Sequence, residues 1–430
     1  MTGFITAVFV IFLVVGMPIG FVLGVTGLLS MLKMNVPSIL QLVPQRYFAG
    51  VDMFTLMAMP FFILAGDIMN KTGITQKLVK FSNVLVGHLQ GGLAHANIVA
   101  SVFFAGLTGA AVSDTAAIGS MLIPAMVEEG YDKDFSAAVT ASSSIIGPTI
   151  PPSNIMVIYG AFMQVSIAGL FLAGILPGIL VAVALMILTA RISKKRGYPV
   201  GQRRATLKEM ILAFKEAFVA LLMPIIILGG ILSGVFTPTE AAAVAVAYAL
   251  FVGFVVYRSI TVRDLVPIFI KMARTTGVVF LVIAAASILG WVLTMEQIPE
   301  KVANLMLGIS TNKWVVMGMI LLLLLFVGMF MDIAAALIIL GPILHPLAVK
   351  MGFHPLHFGI IMVLSLNIAL MTPPVGACLF VACGISRLTI EQLSREIFPF
   401  ILVVVSVLIL ITVFPGIPLF LPRLMGYAPW

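Results

Sequence analysis

The chain is poor in charge. Of its 430 residues, 24 are Lys or Arg and 16 are Asp or Glu, 9% in all, whereas soluble domains carry about 25%. That scarcity argues against a solvated globular surface. Cysteine is almost absent: Cys378 and Cys383 share one apolar segment, without metal-ligand spacing or a disulfide framework, so buried free thiols are expected. Histidine is scarce too. Of the five, His354 and His357 form a close pair in a turn after Met351-Gly352, with no third ligand. No nucleophile and base, and no ligand set, stand at a workable spacing, which argues against an enzyme. No Walker motif is present, so ATP-driven transport by this chain alone is not expected, nor is any nucleotide cofactor. The net charge of +8 gathers in a membrane-flanking loop, where orientation and lipid contact explain it without nucleic acid.

What the chain has is apolar length. It is 61% hydrophobic, and apolar runs recur from end to end, so an all-α polytopic protein of the lipid bilayer is expected. The period-two alternation of a membrane barrel is missing. Residues 1–31 lack a basic leader and a small-residue cleavage site and are read as retained membrane helix.

The runs are interrupted in a telling way. Between them lie Gly106-Leu-Thr-Gly-Ala-Ala-Val-Ser-Asp-Thr115 and Ser142-Ser-Ser-Ile-Ile-Gly-Pro-Thr-Ile-Pro-Pro-Ser-Asn154. In lipid each freed backbone group needs a partner inside the protein, so such breaks are costly. Close helix packing explains single glycines and serines, but it needs neither an acid nor a Pro-Pro pair. The arms 91–106 and 113–126 are short of the roughly 20 residues that a crossing takes. They predict a re-entrant hairpin over about 91–126, with two short tilted crossings as the alternative. Residues 134–165 are broken at Gly147-Pro-Thr-Ile-Pro-Pro152, because proline lacks the N–H and clashes with the preceding turn.

A basic run, Arg191 through Lys208, follows. It is placed in the cytoplasm by the positive-inside rule and taken as a linker, 191–215, between a first repeat (1–190) and a second (216–430). In the second, Gly234-Val-Phe-Thr-Pro238 answers Gly16-Met-Pro18, and Met371-Thr-Pro-Pro374 answers Thr149-Ile-Pro-Pro152. A hairpin is predicted over about 314–348 and a broken helix over about 356–386. Five crossings per half, besides the hairpin, make the halves inverted structural repeats, the plan of many secondary transporters. The same count puts both termini on the periplasmic side.

Asp114, Glu240 and Asp332 are acids in apolar surroundings, and an intramembrane acid marks a functional site by default. Each also suits a helix cap or first turn. Asp114 and Asp332 stand ten residues before Pro124 and Pro342 and are taken as matched. Around them cluster Thr108, Gly109, Ser113, Thr115, Ser144, Gly147, Ser153, Asn154, Asn367 and Thr372, with Pro151, Pro152, Pro373 and Pro374 holding the breaks open. Hydroxyls and unwound carbonyls suit Na+, and half-helix N-termini suit a carboxylate. No Arg lies in the breaks, so carboxylate recognition is expected to rest on helix ends and hydroxyls. A pore would need weak binding at several sites in a row; two converging breaks suit an occluded site better.

Over nearly its whole length the chain resembles the large membrane subunit of tripartite ATP-independent periplasmic (TRAP) transporters, the DctM type. The resemblance rests on Met59-Pro-Phe-Phe-Ile-Leu-Ala-Gly66, Gly109-Ala-Ala-Val-Ser-Asp-Thr-Ala-Ala117, Gly147-Pro-Thr-Ile-Pro-Pro-Ser153, Gly234-Val-Phe-Thr-Pro-Thr-Glu-Ala-Ala-Ala243 and Met371-Thr-Pro-Pro-Val-Gly376. It implies an elevator-type, sodium-coupled importer of small organic acids such as C4-dicarboxylates, sialic acid or other sugar acids, in a bacterial inner membrane. It also implies a small four-helix membrane subunit and a periplasmic solute-binding protein as partners. Ala110 departs from the family's frequent Ser-Gly-Ser and removes one hydroxyl from the expected sodium donors. A sodium/carboxylate symporter working without a binding protein is the alternative.

Overall fold

The computed structural model describes residues 1–34, 41–201 and 203–428. Its first half runs α1 (Thr2–Val14), α2 (Ile19–Lys33), α3 (Leu42–Val51), α4 (Ala58–Lys71), α5 (Ile74–Val86), α6 (Gly92–Thr108), α7 (Ala111–Glu128), α8 (Lys133–Ser143), α9 (Asn154–Met163) and α10 (Ile167–Arg196). The second half runs α11 (Leu207–Leu232), α12 (Pro238–Phe251), α13 (Val262–Met295), α14 (Ile298–Ile309), α15 (Lys313–Gly328), α16 (Ile333–Lys350), α17 (Pro355–Ala369), α18 (Ala377–Ser386), α19 (Ile390–Val413) and α20 (Gly416–Leu424). Among the described residues no strand forms beyond an isolated bridge between Gln90 and Val200.

The order repeats element by element. Helices α11 and α12 answer α1 and α2, and α14 answers α5. The hairpin α15–α16 answers α6–α7, the broken pair α17–α18 answers α8–α9, and α19 answers α10. The halves differ at α13, which is one helix of 34 residues where the first half has α3 and the 54–71 segment, bent by 53°. Residues 33–52 are mixed in composition, a pattern that suits the membrane interface, and of them 35–40 lie outside the described residues. The basic stretch is helical up to Arg196 and again from Leu207.

Local chemistry sets several of these starts. Thr206, Thr237 and Thr389 each close a capping box with Glu209, Glu240 and Gln392, three residues on, so each helix satisfies its first free N–H groups from its own sequence. Among the described residues six helices are long and apolar enough to cross a membrane, or seven with the bent pair. Seven further apolar helices among the described residues are shorter, at 10–17 residues. The first hairpin's arms are longer than its sequence breaks suggest, at 17 and 18 residues, and the second's are 16 and 18.

Arm length alone does not separate a re-entrant hairpin from two tilted crossings. The depth its tip reaches does. At the base, the Gly91 amide donates to the Pro199 carbonyl at 2.9 Å, and Tyr131, just past α7, has its ring 4.9 Å from that of Tyr198. Both ends of the hairpin therefore lie at the C-terminal end of α10. At the tip, a Cβ on Gly109 would come within 2.3 Å of the Pro152 carbonyl, in the break between α8 and α9. The hairpin reaches the middle of a divided helix and turns back.

The second hairpin does the same from the other side. Trp314, at the start of α15, packs edge-on against Phe353, just past α16, at 6.0 Å, while Gly328 at its tip packs against Ala369 beside the second break. Its base lies near the first turn of α17, where Leu356 faces Gly169 in the first turn of α10. The two bases thus sit at opposite ends of α10, a helix of 30 residues, or about 45 Å. The hairpins point toward each other, which is the inverted arrangement.

Of the hairpins and broken helices, α6 and α17 lie deepest. Every residue from Leu356 to Ala369 in α17 is buried. By contrast α11 fully buries only Ala213, Ala217, Ala220, Met223, Ile227 and Ile231, a single stripe at helical spacing, and leaves the rest half-buried or exposed.

Candidate functional site

Where the two tips meet there is a cavity of about 220 Å³. Thr108, Gly109 and Ser113 reach it from the first hairpin, Pro148 and Asn154 from the first break, and Asp332 to Ala334 from the second hairpin. Leu370 and Ala377 line it from the second break, Asp67 from α4, and Lys271 and Thr275 from α13.

Behind the first tip lies a fully buried polar group. Asp114 is in the first turn of α7 with no exposure. The Thr108 hydroxyl donates to one of its carboxylate oxygens, and the other, Oδ2, has no partner. A Cβ on Gly147 would come within 2.0 Å of that oxygen and 3.1 Å of the Ser144 carbonyl. Only a glycine lets the break approach the acid so closely. Thr115 and Ser144 are buried, with hydroxyls turned back to the carbonyls of Ala111 and Thr140 at 2.9 and 2.7 Å. Ser153 caps α9, accepting from the Met156 amide at 3.3 Å.

Asn367 ties the two breaks together. Its amide donates to the Thr149 hydroxyl at 3.1 Å, and its Oδ1, like that of Asn154, is buried without a partner. Thr372 returns its hydroxyl to the Ile368 carbonyl at 2.7 Å. The Pro151–Pro152 and Pro373–Pro374 bonds are both cis. Three buried acceptors without donors, on Asp114, Asn154 and Asn367, are unusual, since each such atom costs about 1–3 kcal/mol. Oxygens left this way suit a hard cation. Among the described residues no group of three His, Cys, Asp or Glu could hold a transition metal.

Two expected placements change. Asp332 does not match Asp114. It is the exposed N-cap of α16, accepting from the amides of Ala334 and Ala335 at 2.9 and 3.4 Å, whereas Asp114 lies four residues beyond Ala110, the N-cap of α7. Equal spacing to an internal proline did not mean an equal place in the helix. Glu240 is not brought to the cavity. It lies exposed in the α12 capping box, accepting from the Thr237 amide at 2.8 Å.

The sequence reading missed Lys271 and the role of Asp67. Lys271 donates to Asp67 Oδ1 at 2.5 Å, and both line the cavity. They come from different helices, 204 residues apart, so no local motif joins them. Each, however, is a charge inside an apolar run, a signal that stands on its own. Carboxylate recognition therefore has a cation available in addition to helix ends and hydroxyls.

Residues 6–417 match the family described as "Tripartite ATP-independent periplasmic transporter, DctM component". The chain belongs to the DctM family. It is 43% identical over 414 residues to the sialic acid TRAP transporter large permease protein of Vibrio cholerae, covering 96% of each chain. It is 35% identical to the C4-dicarboxylate TRAP transporter large permease protein of Rhodobacter capsulatus, again with 96% coverage of each. An isethionate TRAP transporter permease of Oleidesulfovibrio alaskensis is 44% identical over 96% of this chain, which spans 65% of that longer protein. Among solved structures the fold is similar to the Alcanivorax borkumensis YdaH transporter, with a TM-score of 0.63, 15% identity and 88% of both chains covered. This DctM-family chain is thus a multi-pass membrane protein of a transporter family, not an enzyme.

Proposed function

We propose that this chain is the sodium-coupled translocating subunit of a TRAP transporter, importing a small organic acid across a bacterial inner membrane. The observation that carries the reading is the cavity between the two hairpin tips. It has a cation, Lys271, on its wall and buried, unpartnered oxygens beside it. The relatives' names specify sialic acid, C4-dicarboxylates and isethionate, all small organic anions. Like them, this chain would receive its acid from a periplasmic solute-binding protein and act with a small membrane subunit.

Na+ would be held by Asp114 with carbonyl and amide oxygens at the first break, neutralising a buried carboxylate that otherwise has only Thr108. Hairpins and broken helices would move as one body against α1, α2 and α11–α13, in elevator fashion. With the basic run at 191–208 in the cytoplasm, both termini face the periplasm. The test is uptake of labelled acid into proteoliposomes holding this chain and its two partners, with sodium or choline outside. Uptake that needs both sodium and the binding protein supports the reading. Uptake without the binding protein favours a symporter working alone, and uptake unchanged in choline overturns the coupling.

A further inference from the structure

The Lys271–Asp67 pair is lopsided. The Lys271 side chain is 62% exposed and that of Asp67 only 9%, so the lysine can swing and the acid cannot. Asp67 Oδ1 is held by Lys271, while its Oδ2 is buried with no partner. Asp67 also adjoins Gly66, where a Cβ would lie 2.9 Å from the Leu107 carbonyl, so α4 presses directly on the first hairpin tip. An occupant at Asp67 is therefore placed to be felt there.

Resting on the transport reading above, we infer that Lys271 and Asp67 are a specificity-determining couple, and that the acid carried is a hydroxylated monocarboxylate of the sugar-acid type. Lys271 takes the carboxylate. Drawing it away would leave Asp67 as an uncompensated buried charge, a strongly unfavourable state, unless the same ligand supplies hydrogen-bond donors. Hydroxyl groups next to the carboxylate supply them, and Oδ2 is already waiting for one. A plain dicarboxylate cannot do this. It brings a second negative group into a cavity whose lining has Asp67 and Asp332 against the single cation Lys271.

The test is equilibrium binding of labelled acids, in sodium, to this chain with its small membrane subunit in nanodiscs, without the binding protein. Gluconate, gulonate and N-acetylneuraminate stand for hydroxylated monocarboxylates, succinate and fumarate for plain dicarboxylates. At least one hydroxylated acid is expected to bind at least tenfold tighter than either dicarboxylate. Lys271→Gln and Asp67→Asn should each weaken that binding tenfold or more. The swapped double variant, Asp67→Lys with Lys271→Asp, separates recognition from support. If the pair merely holds α4 to α13 the swap restores binding, and if it recognises the acid the swap stays defective while remaining as heat-stable as the wild type. Tighter binding of succinate or fumarate, wild-type binding by both single variants, or rescue by the swap would each overturn the inference while leaving transport intact. Binding of no acid of either class would instead overturn the transport reading beneath it.

Discussion

The two halves repeat one plan but seal it differently. At the first break, Asp114, Thr115, Ser144, Thr149 and Ser153 are all buried, and a glycine at 147 brings the chain onto a carboxylate. At the second, Pro374 and Val375 are exposed, Thr372 is half-buried, and the corresponding position, four residues before the Pro-Pro pair, is Ala369. The acids divide in the same way, Asp114 inside its helix and Asp332 at the exposed start of the other. Equal topology thus supports unequal chemistry. Both breaks border the cavity, but the first is sealed around a buried carboxylate and the second is more exposed.

The largest expected effect tests that asymmetry at the glycine. Gly147→Ala puts a methyl group 2.0 Å from Asp114 Oδ2 and should cut sodium-dependent uptake to a tenth or less. The opposite change at the matched place, Ala369→Gly, adds flexibility near a helix end and costs about 1 kcal/mol of helix stability, so uptake should stay within about twofold. Both are read in proteoliposomes at matched protein content. Equal losses would erase the distinction between the breaks.

A smaller effect is expected where the breaks touch. Asn367→Ala removes the hydrogen bond to Thr149, and Thr149→Val removes its other side. If the bond couples the halves, the double variant should lose less than the two singles combined, with a coupling of about 0.5–3 kcal/mol in uptake or unfolding. Strict additivity would show two independent sites.

The smallest effect lies away from the cavity. Thr237→Ala breaks the α12 cap and should lower thermal stability by about 1 kcal/mol, while Glu240→Gln should leave the sodium half-saturation unchanged. A sodium shift in Glu240→Gln would return that residue to the site.

Much of this was legible in the sequence because breaks in lipid are costly and therefore conspicuous. Gly109, Gly147 and the two Pro-Pro pairs mark the hairpin tip and both divided helices. The interruptions come in the same order in both halves. What failed was anything set by side-chain direction. Spacing to Pro124 and Pro342 could not tell that Asp332 caps its helix while Asp114 lies within. For Glu240 the sequence left two readings, an acid of the site or one in a helix's first turn, and the Thr237 capping box is where it lies. Lys271 and Asp67 meet only when α4 packs on α13, a contact that no local pattern carries.

The central claim is that the closed first break holds the coupling ion. It is tested most directly by the sodium activation curve of uptake for Asp114→Asn beside that for Asp332→Asn. Two unit charges about 4 Å apart attract by about 4 kcal/mol at an effective dielectric constant of about 20, well over tenfold in affinity. Asp114→Asn should therefore raise the half-saturating sodium by at least about tenfold, or abolish the dependence, while Asp332→Asn changes it by less than about threefold. Wild-type sodium activation in Asp114→Asn, or a larger shift in Asp332→Asn, would contradict the account.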